Sequence, residues 1–216
     1  MAPAQLLLLL VLALQQSQPV QLLFVSDFYA NQVTDARTGQ VWFGLFPEAG
    51  GWKLGATTLR VDSISSGCMQ NGRRVTIDRQ QDPLLLVRGI PSLRAGSVDA
   101  VPIKSSVLSP DSTREFRFGS SVFYLAATGG DTSYSVRLIG PAGRSQELVA
   151  YHGRAPIAWP AKILWIGDLD RDGKPDLFLD IALAEIPPAD RTLFLSTAAG
   201  PSEYVGKVAE FRTLVC

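Results

Sequence analysis

Ile163-Leu164-Trp165-Ile166-Gly167-Asp168-Leu169-Asp170-Arg171-Asp172-Gly173-Lys174-Pro175-Asp176-Leu177-Phe178-Leu179-Asp180-Ile181 carries both the secondary-structure signal and the chemistry of this chain. Its two flanks are short apolar runs of branched and aromatic residues, too short and too uniform for an amphipathic helix, and they read as strands. Between them, acidic residues stand at every second position and Gly173 follows, in the spacing D-x-D-x-D-G-x-x-D. Carboxylates at loop positions 1, 3 and 5 can converge on one hard cation, with glycine at position 6 permitting the sharp turn. In this numbering Lys174 offers its backbone carbonyl and Asp176 closes the site directly or through water. Packed together without a cation the four carboxylates repel one another, so the spacing points to calcium bound at residues 168–176. Position 12 is Leu179, where a helix-flanked calcium loop carries a bidentate glutamate, and this too favours a strand-loop-strand site. Asp180 lies beyond the motif and reads as a solvated strand residue.

Outward from this loop the same kind of segment recurs. Residues 40–46 and 53–61 are apolar runs separated by Glu48-Ala49-Gly50-Gly51, which reads as a hairpin. Residues 73–77, 84–87, 115–118 and 121–127 follow as strands. Residues 133–139 and 146–151 flank Gly140-Pro141-Ala142-Gly143 as a second hairpin, and 192–196 and 207–215 close the series. A short helix is expected at 202–205, with Ser202 as its cap, and a long loop over 89–114. No stretch keeps a helical period. The expected fold is therefore mainly β, a single domain of antiparallel sheets, sandwich-like or partial-propeller-like, with one strand-loop-strand calcium site.

The chain has 216 residues, 20 Lys+Arg and 20 Asp+Glu. That balance argues against a nucleic-acid binder or a polybasic membrane-surface module, both of which need a concentrated positive charge. The first 26 residues carry no charged side chain, and residues 6–14 form an apolar block with the length of a signal-peptide core, too short to span a bilayer. Residues 1–19 are read as a signal peptide and 20–216 as the β domain, periplasmic or secreted, with no transmembrane span in the mature form. The two cysteines, Cys68 and Cys216, are neither a zinc site nor a C-x-x-C pair. In an oxidising compartment they suggest one structural disulfide, with two unpaired thiols as the alternative.

The segment 166–177 resembles the calcium loop of FG-GAP/VCBS repeats, found in integrin-like propellers and in bacterial secreted proteins. The resemblance spans about 20 residues. It implies a calcium ion held by the side chains of Asp168, Asp170, Asp172 and Asp176 and by the carbonyl of Lys174. The chain as a whole resembles uncharacterised bacterial exported proteins that carry one such loop.

Catalytic signatures are sparse. His152 is the only histidine and reads as a rim residue at a strand end. No G-x-S-x-G elbow occurs, and one histidine cannot supply a zinc hydrolase. Trp42, Trp52, Trp159 and Trp165 stand on apolar strands and read as core. The expectation is a non-enzymatic exported β protein, structural or partner-binding at the cell envelope, with a protein or glycan partner and calcium stiffening a loop. The alternatives are an envelope glycan hydrolase with a structural calcium ion, and an inhibitor or immunity protein for a cell-wall enzyme.

Overall fold

The computed structural model describes residues 19–67, 69–130, 133–152, 160–181 and 189–213. The signal-peptide assignment, both cysteines and Trp159 lie outside these residues. Within them the regular structure is strand apart from three single-turn 3-10 segments, and no helix is long and apolar enough to cross a membrane.

The first sheet contains β1 (Gln21–Leu23), β2 (Ser26–Tyr29), β3 (Val41–Glu48), β4 (Gly51–Ser66), β5 (Met69–Ile77), β6 (Leu85–Arg88) and β7 (Gly96–Val98). Its order is β1-β6-β3-β4-β5-β2, with β7 also paired to β4. The expected hairpin is present: β3 and β4 pair from Val41 opposite Thr58 to Glu48 opposite Gly51. The sixteen residues of β4 serve two neighbours in turn, β3 along the first half and β5 along the second.

The strand β8 (Val107–Leu108) leaves this sheet for another. Next, β9 (Ser112–Phe118), β10 (Ser121–Gly130), β11 (Ser133–Ile139) and β12 (Ser145–His152) form a four-stranded meander in the order β12-β11-β10-β9. Finally β13 (Ala161–Gly167), β14 (Asp176–Asp180), β15 (Ala189–Leu195) and β16 (Gly206–Thr213) join β8 in the order β16-β15-β14-β13-β8. All registered pairings are antiparallel. The architecture is thus the mainly β, antiparallel one expected.

The five-stranded sheet contributes to a core on each of its faces. Phe178 packs with Trp42, Leu45 and Leu54 of the first sheet, while its neighbours Leu177 and Leu179 pack with Leu125, Val136 and Leu138 of the meander. Side chains alternate across a strand, so a sheet covered on both faces needs an unbroken apolar run, and 177–179 supplies one. In β13 the register shifts between Ile163 and Trp165. This bulge puts Ile163 and Ile166 in one core and Trp165 in the other.

Two local expectations are corrected. Residues 89–114 are not one loop, since they hold β7, β8 and the start of β9; strands of two or three residues are too short to show alternation. Residues 202–205 are not helical. Instead a turn closes with the Glu203 N–H donating to the Gly200 carbonyl at 3.0 Å, and the side chain of Gln146 accepts from the Tyr204 N–H at 2.8 Å and donates to the Val205 carbonyl at 2.6 Å. Gln146 thus holds residues 204 and 205 in a non-helical course.

Candidate metal centre

The acidic loop joins β13 to β14 in the middle sheet, so both of its ends are fixed by ladder bonds, Gly167 opposite Asp176. It is not a solvated turn. Asp168, Leu169 and Asp170 are buried, Leu169 within the first core, and Asp176 is 0% exposed. Carboxylate oxygens of Asp168, Asp170 and Asp176 all lie within 4.8 Å of one another. Calcium–oxygen bonds are about 2.3–2.6 Å, so oxygens up to about 5 Å apart can share one ion. The three can therefore serve a single cation.

The loop's own backbone shapes the cluster. Asp168 accepts from the N–H groups of Asp172 at 3.0 Å and Gly173 at 2.9 Å, which folds the chain back over its first carboxylate. Gly173 sits at φ +82, where a side chain is strained. Asp176 accepts from the Leu169 N–H at 2.7 Å and from the Ser196 N–H at 2.8 Å. Asp170 accepts from the Thr197 hydroxyl through one oxygen. Its other oxygen is buried with no hydrogen-bond partner.

Asp172 and Lys174 stand apart from the three-residue cluster. One Asp172 oxygen accepts from the Lys174 N–H at 2.9 Å, and the other lies 3.8 Å from the Lys174 ammonium. Asp180 is at the far end of β14, in register with Lys162 on one side and Arg191 on the other. Burial pushes its carboxyl up, and the charges of Arg191 and Lys162 oppose the shift.

Electrostatics mark the cluster as an uneasy place for negative charge. Burial pushes the Asp176 carboxyl up to about 8, against the pull of the Ser196 N–H and with the push of Asp170. Asp170 is raised as well, by burial first, against the Thr197 hydroxyl, then by the charges of Asp172 and Asp168, with the backbone N–H of Asp172 pulling weakly the other way. A cation among these oxygens relieves both the burial and the repulsion. The donor set is oxygen only, which suits a hard metal ion better than zinc.

Four partners of the loop come from elsewhere in the chain, Ser196, Thr197, Asp99 and Ser97. Ser196 and Thr197 sit on the turn after β15. The segment preceding β8 also docks: the Asp168 N–H donates to the Asp99 carbonyl and the Val101 N–H to the Ile166 carbonyl, each at 2.9 Å. Arg171, at φ +63, donates to the Ser97 carbonyl at 3.1 Å. A serine-threonine pair after a strand has no spacing that links it to a loop twenty residues earlier, and only the β14–β15 pairing brings them together.

His152 ends β12, exposed and opposite Ser133. Trp42 and Trp165 are core residues, and Trp52 packs half-buried beside the first core. Comparison of the chain with protein-family models, with curated proteins and with solved structures yields no match.

Proposed function

We propose that the loop binds one calcium ion, and that the protein is a non-catalytic, exported β protein whose ion fastens the middle sheet to its surroundings for a structural or partner-binding role at the cell envelope. The carrying observation is the second oxygen of Asp170, buried and unpartnered beside two other buried carboxylates. An unpaired buried acceptor is costly, and a cation in contact with it supplies what the protein does not. Asp168, Asp170 and Asp176 hold the ion from their side chains. Asp172 and the carbonyl of Lys174 complete the shell, as the motif's spacing implies. Calcium's tolerance of irregular oxygen shells favours it here over magnesium, which wants a small rigid octahedron.

The ion's work follows from what the loop touches. Its carboxylates are bonded to the turn after β15, and its backbone to the segment that leads into β8. Neutralising the cluster therefore secures three separate stretches of chain at one point. Export is supported by the charge-free apolar stretch at residues 6–14, and the envelope as the place of action rests on it.

Titration calorimetry of calcium into the whole protein, paired with melting curves in calcium and in chelator, tests the metal reading. One site per chain and a higher melting temperature in calcium are expected. Absence of binding at millimolar calcium together with an unchanged melting temperature in chelator would remove it. Export is tested separately, by fractionating expressing cells and sequencing the N-terminus of the product: an unprocessed cytoplasmic chain would count against it.

A further inference from the structure

A groove of about 730 Å³ opens between β9, residues 101–105 and β13. Small-molecule sites fall at roughly 300–1,000 Å³. Buried Phe116, Ile163 and Ile166 line it, with half-buried Val101 and Ile103. β9 is an edge strand of its sheet, so the groove is open along that side.

One charged side chain shares the inward face of this strand. In β9 the exposed residues are Thr113, Glu115 and Arg117, and the more buried ones Ser112, Arg114, Phe116 and Phe118. Alternation thus sets Arg114 beside Phe116 on the groove side. Its guanidinium has two long bonds to neutral carbonyls, Thr113 at 3.3 Å and Val107 at 3.4 Å. Its Nε is buried and has no partner. Among the described residues no carboxylate pairs with it: Glu115, which also borders the groove, lies 3.7 Å from Arg117, so these two rim charges offset each other and leave Arg114 uncompensated. Across the groove stands exposed Lys104, likewise without an acidic partner among the described residues. An apolar trough with two unneutralised cations at its edge is complementary to a molecule that has a hydrocarbon body and one anionic end.

We propose that this groove binds a free straight-chain fatty acid, its tail against Phe116, Ile163 and Ile166 and its carboxylate on the guanidinium of Arg114 with Lys104 facing it. A guanidinium with three donors unused is suited to a planar carboxylate taken through two parallel bonds. A positively charged amphiphile of equal length would meet repulsion at the same place. The groove adjoins the acidic loop through Val101 and Ile166, but none of the side chains assigned to the fatty acid is one assigned to the metal ion.

The probe is dodecanoate, titrated into the whole protein by calorimetry, with calcium held at the protein's own concentration so that the soap stays dissolved. Saturable one-to-one binding is expected, with no binding of acetate, which lacks the tail, or of dodecyltrimethylammonium, which reverses the charge. Arg114→Gln should weaken dodecanoate about tenfold or more, and Lys104→Gln about threefold, while Arg60→Gln, an exposed residue of β4 outside the groove, leaves it unchanged. Lys104 is exposed, so that variant keeps the fold even if Arg114→Gln does not. Equal binding of dodecanoate and the cationic amphiphile, unsaturable uptake, or undiminished affinity in Lys104→Gln together with a folded Arg114→Gln would overturn the proposal. So would capture of a peptide strand along β9 that dodecanoate does not displace.

Discussion

The carboxylate of Asp176 and the backbone N–H of Ser196 are hydrogen-bonded at 2.8 Å, joining the last acid of the loop to a turn twenty residues further along the chain. The other oxygen of the same carboxylate accepts from the Leu169 N–H. Asp176 is therefore a structural acceptor as well as a candidate ligand, and Asp170, with its unpartnered oxygen, is the acid with more to offer an ion.

That difference separates two substitutions. Asp170→Asn should abolish the calcium-dependent rise in melting temperature and leave the chelated protein as stable as before or slightly more so, because one repelling charge is gone. Asp176→Asn should destabilise even the chelated protein, by about 1–3 kcal/mol, since an amide nitrogen then faces a buried N–H that has lost its acceptor. Denaturant melts of both variants in chelator and in calcium read the contrast.

The raised Asp176 carboxyl predicts an inverted pH response. Its folded value of about 8 stands above the ordinary 3.8, so the folded chain holds this proton more tightly than the unfolded one does. The contribution is fully present below about pH 4 and is lost as pH rises toward 8. In chelator, stability should fall across that window, by at most about 1.4 kcal/mol per pH unit from this group. Calcium competes with the proton, so its stabilising effect should grow over the same range. Melting temperatures at pH 5 and pH 8, with and without calcium, test both halves. A calcium effect that is larger at pH 5 would contradict the assignment.

Gly167 is the hinge of the arrangement. A Cβ there would lie 2.3 Å from the Asp99 carbonyl oxygen and 2.3 Å from the Trp165 ring. Gly167→Ala should cost more than about 2 kcal/mol and push residues 99–101 off the middle sheet. Limited proteolysis should then cut between residues 98 and 106 much faster than in the parent protein.

Tyr134 ties the meander to the middle sheet. Its hydroxyl donates to the Leu108 carbonyl at 2.6 Å and accepts from the Ala161 N–H at 3.2 Å, both buried. Tyr134→Phe leaves two buried backbone groups without their partner and should cost about 1–3 kcal/mol, with calcium binding unchanged. A melt paired with a calcium titration distinguishes this from damage to the loop.

Much of this architecture can be read from the residues, where periodicity or turn chemistry is local. The β3–β4 hairpin around Gly50, the β11–β12 hairpin around Pro141 and the apolar run at 177–179 are all of that kind. β1, β7 and β8 are not, because two or three residues cannot show an alternation, and their pairing is decided by distant strands. The same division holds at the loop. Spacing brings Asp168, Asp170, Asp172 and Asp176 forward as a group, but it does not tell that three of them share one buried cluster while Asp172 lies beside Lys174. Thr197 and the Asp99 carbonyl leave no trace in sequence, since sheet pairing alone delivers them to the loop.

Phe24 meets Phe211 edge-on at 5.4 Å, and the side chain of Gln32 donates to the Arg212 carbonyl across 180 residues of sequence. The first sheet thus takes part of its core from β16, the last of the described strands. A ribosome releases the chain from its N-terminal end, so this first sheet waits, incompletely covered, until residues near 211 have emerged. Folding of the whole is then a late, slow event set by closure of that long circuit. During this interval the unpaired edges of β1 and β2 are open to wrong partners, and a holding chaperone that shields them should raise the yield of native protein more than one that accelerates later steps.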